Sequence, residues 1–169
     1  MRILNLFLAL SVVAFMSCGK TTEKKEETSI KINQAPKEAE PVQEEGVANV
    51  VIESNDQMRY NLSEIKVSAG DKVNLTLKHV GQLDKNVMGH NFVLLKPGVD
   101  INDFAKKALK AKANDYIPVD SPDVIVHTKM IGGGEEVSIT FDAPEAGTYE
   151  FICSFPGHVA LMNGKFIVE

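Results

Sequence analysis

The sequence has 169 residues, of which 44% are hydrophobic and 24% charged, a composition typical of one globular domain with accessory segments. The formal net charge is −5, and residues 47–169 alone carry −4. No part of the chain is basic enough to indicate a nucleic-acid partner, so that function class is excluded.

The first 17 residues have the pattern of a signal peptide. Arg2 precedes an apolar run that ends at Phe15, which is shorter than the roughly 20 residues needed to cross a bilayer. Cys18 follows the small residue Ser17, as at the cleavage site of bacterial lipoproteins. We therefore predict export, acylation of Cys18, and a lipid-anchored protein on the periplasmic or another cell-envelope face. The alternative is an ordinary signal peptide with an incidental cysteine.

Residues 18–46 join this cysteine to a segment rich in Lys, Glu, Thr and Pro, with almost no large apolar side chains. Such a segment buries too little apolar surface to offset the entropy lost on ordering. We predict a flexible tether, although an ordinary disordered terminus has the same composition.

If Cys18 is acylated, Cys153 is the one cysteine left in residues 47–169. A free thiol in an oxidising compartment is a liability unless something occupies it. Metal ligation would occupy it, and deep burial is the alternative.

Residues 47–169 are long enough for a core that folds unaided. Short β-rich runs are separated by turn-forming clusters at 68–71, 132–134 and 144–147. This pattern predicts an all-β, antiparallel Greek-key sandwich or barrel of about eight strands. The predicted strands are Val47–Glu53, Met58–Val67, Lys72–His79, His90–Leu95, Val124–Lys129, Glu135–Phe141, Thr148–Cys153 and Lys165–Val168.

One segment departs from the strand pattern. Between Asn102 and Ala113, apolar residues recur at helical spacing among lysines. We predict a short helix in a crossover insertion, with Asn102 as its N-cap.

Residues able to bind a metal concentrate in the segment from Cys153 to Met162. His158 lies five residues after the cysteine and Met162 four residues later, so one loop can present a thiolate, an imidazole and a thioether to one point. His90, in a Gly-His-Asn sequence, is the natural source of a second imidazole. Two histidines, a cysteine and a weak methionine form the ligand set of an electron-transfer copper site.

Two other kinds of site use some of these residues. A Cys-His pair can act as nucleophile and base, but a hydrolase also needs an orienting Asn or Asp and an oxyanion hole. Structural zinc prefers four good Cys or His ligands, whereas the fourth candidate here is a thioether. The joint occurrence of Cys, His and Met in one loop favours copper.

The sequence resembles the azurins, the bacterial members of the cupredoxin family. The resemblance is strongest over LDKNVMGHNFV at 83–93 and FICSFPGHVALMNG at 151–164, and it covers residues 47–169. It implies one type 1 copper ion held equatorially by His90, Cys153 and His158, with Met162 as a long axial ligand. It also implies that the backbone carbonyl of Gly89 approaches the metal from the opposite side.

The resemblance implies roles for neighbouring residues as well. Asn91 would tie the two ligand-bearing segments together, and His79 would lie near the site, where its protonation would be coupled to the reduction potential. Two family features are missing, because no cysteine lies near Gly70 to form the usual disulfide and the chain has no tryptophan.

The expected function is transfer of single electrons by Cu(II)/Cu(I) cycling, not enzymatic conversion of a substrate. The alternative is a protein that stores or delivers copper or zinc. Redox partners such as cytochromes or reductases would dock on an apolar patch around His158, whose ring edge would be the electron exit. The predicted patch comprises Leu83, Val87, Met88, Phe155, Pro156, Gly157, Ala160 and Leu161, although Leu83 and Val87 are equally compatible with the core.

Overall fold

The computed structural model describes residues 46–169; the signal peptide and nearly all of the predicted tether lie outside the described residues. The described part contains nine strands in two sheets, ordered β2-β1-β4-β7 and β3-β9-β8-β5-β6. The strands are β1 Val47–Asn55, β2 Arg59–Tyr60, β3 Glu64–Val67, β4 Lys72–His79, β5 Val93–Leu95, β6 Val124–His127, β7 Glu136–Asp142, β8 Gly147–Ile152 and β9 Asn163–Val168. The predicted all-β sandwich is confirmed.

Alternating burial along the strands builds the core between the sheets. In β4, every second side chain is buried, beginning with Val73 and ending with His79. This follows from the two-residue period of a strand, which sends successive side chains to opposite faces. Each large apolar side chain buried in this way contributes about 1.5–3 kcal/mol relative to exposure. The same alternation places the imidazole of His79 on the inner face at the end of β4.

The single strand predicted over Met58–Val67 is wrong, because the chain changes sheets within it. β2 pairs with β1, and β3 pairs with β9 of the other sheet. The connection is held at both ends, since the Asn61 amide donates to the Glu53 carbonyl and the Lys165 amide donates to the Ser63 carbonyl. This crossing explains why there are nine strands instead of about eight.

Most strand pairs are antiparallel, as predicted, but two pairs are parallel. β1 runs parallel to β4 over eight residue pairs, and β3 runs parallel to β9 over four. Two parallel strands that lie side by side need a crossover connection, which brings the chain back to the end of the sheet where the first strand began. Here the chain leaves β1 for β2 and β3 before it returns as β4.

The predicted crossover helix is present as α2, Ile101–Ala108, and it buries Phe104 and Ala108. Its N-cap is Asp100 and not Asn102, because the Asp100 carboxylate accepts the backbone amides of Asn102 and Asp103. The helix also ends earlier than predicted, and a 3₁₀ turn follows over Lys112–Asn114.

A four-residue helix, α1 Lys85–Met88, was not predicted. Its N-cap is Asp84, whose carboxylate accepts the backbone amide of Asn86. Across residues 46–169, no helix is long and apolar enough to cross a membrane.

Candidate metal centre

Three potential metal ligands from two segments converge inside one end of the sandwich. Cys153 directly follows β8, His158 opens a 3₁₀ turn over His158–Ala160, and His90 lies just before β5. The Cys153 Sγ lies 3.6 Å from Nδ1 of His158 and 3.9 Å from Nδ1 of His90. All three side chains are buried, and their ligand atoms lie within 4.8 Å of one another.

These separations fit a single metal ion. Protein metal sites place nitrogen at about 2.0–2.1 Å and sulfur at about 2.3 Å from a metal such as zinc. Two such ligands in a trigonal arrangement are then roughly 3.5–4 Å apart, which matches the observed sulfur–nitrogen distances. Two imidazoles and one thiolate form the equatorial set of blue copper sites.

The loop that carries Cys153 and His158 is closed by its own backbone. The Cys153 amide donates to the Met162 carbonyl at 2.9 Å, and the Met162 amide donates to the His158 carbonyl at 2.8 Å. Gly157 has a φ of 83°, a left-handed conformation that favours glycine. The side chain of Met162 is fully buried. The end of the loop at Met162 is therefore hydrogen-bonded to its start at Cys153, and the Met162 side chain lies inside the protein.

Hydrogen bonds of its backbone amide, its backbone carbonyl and its ring all hold His90 in place. It forms an isolated β-bridge with Ile131 and does not begin a strand, so the predicted strand His90–Leu95 starts only at Val93. Its Nε2 lies 2.9 Å from the Asn55 carbonyl. A carbonyl only accepts, so Nε2 carries the proton, and the lone pair of Nδ1 faces Cys153.

Gly89 is buried between α1 and the cluster. Its carbonyl oxygen lies 3.9 Å from the Cys153 Sγ. A Cβ at this position would lie 2.4 Å from the Lys85 carbonyl and 2.9 Å from the side chain of Met130. No larger residue fits without moving α1 or Met130, so the close approach of this carbonyl to Cys153 requires glycine.

Asn91 links the two ligand-bearing segments, as the resemblance implies. Its Oδ1 accepts the backbone amide of Ser154 at 2.9 Å, and its Nδ2 donates to the Ser154 hydroxyl at 2.8 Å. Nδ2 also donates to the Asp115 carbonyl, and the Asn91 carbonyl accepts the Tyr60 hydroxyl. The asparagine and Ser154 are buried, so this network fixes the segment containing His90 against the one containing Cys153.

Burial sets the protonation states of the three ligands in the metal-free protein. It lowers the pKa of His90 and of His158 to about 4 each. It raises the pKa of the Cys153 thiol to about 11, while the backbone amides of Asn91 and Phe155 act in the opposite direction. At neutral pH both imidazoles are therefore neutral and able to bind a cation, whereas the thiol must lose a proton.

The other two histidines lie in different environments. His79 is buried, and its ring stacks on His90 with the centroids 4.4 Å apart. Its Nε2 donates to the Met88 carbonyl and its Nδ1 accepts the Gly81 amide, which defines the neutral tautomer. Coupling of its protonation to the reduction potential stays a prediction. His127 is exposed.

Three residues that support the site were not found by sequence reasoning. Asn55 acts through its backbone carbonyl, which leaves no signal in the side-chain pattern. Tyr60 contributes a buried hydroxyl from β2, and its strand position offers only an inward-facing aromatic as a signal. The rings of Tyr116 and Phe155 pack with their centroids 5.4 Å apart, and Phe155 in turn packs on His158 with the ring centroids 4.6 Å apart. Tyr116 itself has a positive φ of 58°, although it is not a glycine.

The fold and this cluster are those of the cupredoxin class of copper proteins. The sequence profile described as copper binding proteins, plastocyanin/azurin family, matches residues 47–169. The chain therefore belongs to the plastocyanin/azurin family of copper-binding proteins, and its cofactor is one type 1 copper ion.

Individual relatives agree with this assignment. Azurin of Achromobacter denitrificans is 47% identical over 118 residues, which are 67% of this chain and 78% of the relative. Outer membrane protein H.8 of Neisseria meningitidis serogroup B is 46% identical over 123 residues, 71% of this chain and 67% of the relative. A solved azurin from Methylomonas sp. strain J superposes with a TM-score of 0.66 at 33% identity, over 72% of this chain and 98% of its own.

Proposed function

We propose that the protein carries single electrons between redox partners, with copper held by His90, Cys153 and His158. The Met162 thioether would bind the copper weakly, and the Gly89 carbonyl would be a further contact. When bound, copper supplies the Cu(II)/Cu(I) couple. The observation that carries this proposal is the buried thiol with two neutral imidazole nitrogens 3.6 and 3.9 Å away.

The chain's own residues prepare these ligands before any metal arrives. The Asn55 carbonyl fixes the tautomer of His90, and Asn91 fixes the loop of Cys153 to the segment of His90. A site held in this way changes little between oxidation states, which favours rapid electron transfer over storage. A delivery protein would instead need an exposed, exchangeable site, whereas the three ligands here are buried.

Addition of Cu(II) to the purified protein tests the ligand assignment. We expect an intense blue thiolate-to-copper band that disappears on reduction and is absent in Cys153→Ala. His127→Ala, which removes an exposed histidine, is the matched control and should keep the colour. A colourless protein that binds zinc more tightly than copper would instead support the storage or delivery function.

We further propose that partners dock on the predicted apolar patch. Leu83, Val87 and Leu161 are exposed, with 62% of Val87 accessible, which favours the patch over the core for these residues. His158 itself is only 2% exposed, so the electron would leave through the edge of a largely covered ring. Replacing Met88 or Ala160 with a charged residue should slow transfer without altering the blue band.

The location of the protein is proposed from its N-terminal sequence and from one relative. Cys18 with its following segment suggests a lipid anchor, and a relative is named as an outer membrane protein. We expect the full chain to incorporate labelled fatty acid and to fractionate with membranes, and Cys18→Ser to do neither. Incorporation that persists in Cys18→Ser would exclude this anchor.

A further inference from the structure

Positive charge is concentrated beside the metal loop of an otherwise acidic domain. Residues 47–169 carry a net charge of −4, yet residues 102–113 contain four lysines and one aspartate. This segment includes α2, whose side chains form one cavity wall together with residues of the loop that bears His158. The lysines are therefore not spread evenly over the surface.

Two lysines of this segment, and Lys85 from α1, line cavities that Phe155 also lines. A cavity of about 220 Å³ between α2 and the metal loop is lined by Lys106 and Phe155. A second cavity of about 50 Å³ is lined by Lys85, Lys112 and Phe155. Phe155 packs directly on the ring of His158. Lys85, Lys106 and Lys112, here called the lysine rim, thus lie near the residue next to the proposed electron exit.

Little negative charge lines the two cavities beside Phe155. Asp115 is the one acidic residue in the walls of these two cavities, and its carboxylate accepts the Met130 amide at 3.0 Å. Lys106 also pairs with Asp103, but both side chains are mostly exposed, so this pair is worth little and is screened by salt. The rim therefore keeps a positive field close to Phe155.

Acidic side chains also lie close to Lys85, which lines a further cavity together with Asp84 and Glu135. Asp56 accepts the amides of Gln82 and Leu83, and Glu135 accepts the amide of Gly132. Asp84 caps α1. These carboxylates are partly neutralised by backbone dipoles, whereas the structure shows no ion pair for Lys85 or Lys112 within residues 46–169.

We infer that the redox partner is a protein with an acidic face, which docks on the lysine rim and places its electron-transferring group over Phe155 and His158. This inference rests on the proposed electron-carrier function and names the partner chemistry for the same site. Complementary charge raises encounter rates by about 10–10³ at low salt. An apolar patch alone would bind the partner without fixing its orientation. The charges of the lysine rim fix the orientation in which the partner docks.

A small anionic oxidant tests the field at the rim. Oxidation of the reduced copper protein by hexacyanoferrate(III) is followed from about 10 to 200 mM salt, where screening becomes strong within about 10 Å. The net charge of −4 over residues 47–169, taken alone, would make this rate rise with salt. We expect a fall of roughly 3–10-fold, because the rim attracts the anion locally. A rate that rises with salt overturns the inference.

Matched charge reversals assign the effect to the rim. The double variant K106E/K112E should reverse the salt dependence, whereas K66E/K72E should leave it unchanged. Lys72 starts β4, seven residues before His79, or about 23 Å away along the strand. Equal effects of both double variants overturn the inference. Loss of the blue band in the unmodified protein would instead overturn the electron-carrier function itself.

Two measurements without electron transfer complete the test. In the metal-free protein, the redox-inert paramagnetic anion hexacyanochromate(III) should broaden amide signals of residues 105–116 and 155–157. Broadening confined to other regions contradicts the inference. If K106E/K112E loses affinity for phosphatidylglycerol vesicles but keeps the wild-type salt dependence of oxidation, the rim binds a lipid surface and the acidic partner is excluded.

Discussion

Burial opposes charge on every ligand of the metal-free centre. The histidine pKa values fall to about 4 and the Cys153 pKa rises to about 11. Between these limits each imidazole is neutral and the thiol keeps its proton. The site thus presents two ready ligands and one that becomes a ligand only when the metal displaces its proton.

Copper uptake should therefore release one proton per ion between about pH 5 and 10, and affinity should rise about tenfold per pH unit in this range. Calorimetric titration of the metal-free protein with Cu(II), in buffers of different ionisation enthalpy, measures this number. Below pH 4 the number should increase, because His90 and His158 then also carry protons. Release of two or more protons at pH 7 would show that an imidazole is charged in the folded protein.

The Asn91 network gives a second prediction for a single residue. Asn91→Ala leaves the buried amide of Ser154 without its partner, and an unsatisfied buried group costs about 1–3 kcal/mol. We expect that loss in the free energy of unfolding, together with a shifted reduction potential. Asn86→Ala removes an exposed amide and is the control. Equal stability of the two variants in denaturant titrations would contradict the role given to Asn91.

The start of α2 allows a prediction about one element. Asp100→Ala removes the carboxylate that accepts two amides of the first turn, and loss of such a cap costs about 1 kcal/mol. Asn102→Ala should be nearly neutral, because its side chain is exposed in the first turn. Thermal unfolding of both variants distinguishes them. A larger loss in Asn102→Ala would restore the cap predicted from the sequence.

Local periodicity explains which elements were predictable. β4 has the predicted bounds Lys72–His79 because its alternation is continuous and turn residues precede it. The start of α2 was missed because Asp100 and Asn102 are both good caps, and only the position of Ile101 inside the helix decides between them. The spacing of apolar residues thus predicted the type of each of these elements, whereas the first residue of α2 depended on one hydrogen-bonded side chain.

Local sequence patterns did not predict which segments far apart in the sequence lie next to one another. The change of sheets after Tyr60 and the parallel pairing of β1 with β4 depend on which strand lies beside which. In the centre, the loop from Cys153 to Met162 was recognisable because its spacing is local. The contact of His90 with the Asn55 carbonyl spans 35 residues and uses no side chain of Asn55, so no local signal marks it.

At the scale of the whole molecule, the candidate copper ligands are not members of the largest buried hydrophobic cluster. The largest buried cluster joins both sheets through residues such as Leu75, Phe92, Phe151 and Phe166. The metal-binding residues lie at one end of this core. This differs from small zinc domains, in which the metal supplies most of the folding free energy.

We therefore expect the metal-free protein to fold cooperatively, with copper raising the unfolding temperature by mass action. Circular dichroism and two-dimensional NMR of the metal-free and Cu(I) forms measure this. Differences between the two spectra should be confined to residues near 89–91 and 153–162. A metal-free protein without dispersed amide signals would show that copper is needed for the fold.

The central claim is that the cluster of His90, Cys153 and His158 holds copper that gains and loses one electron without rearrangement. Potentiometric titration of the copper-loaded protein, monitored by its blue band, tests this most directly. We predict full, reversible loss and recovery of the band with a one-electron Nernst slope, in the protein and in His127→Ala alike. A colourless copper complex, or a band that does not return on reoxidation, would contradict the claim.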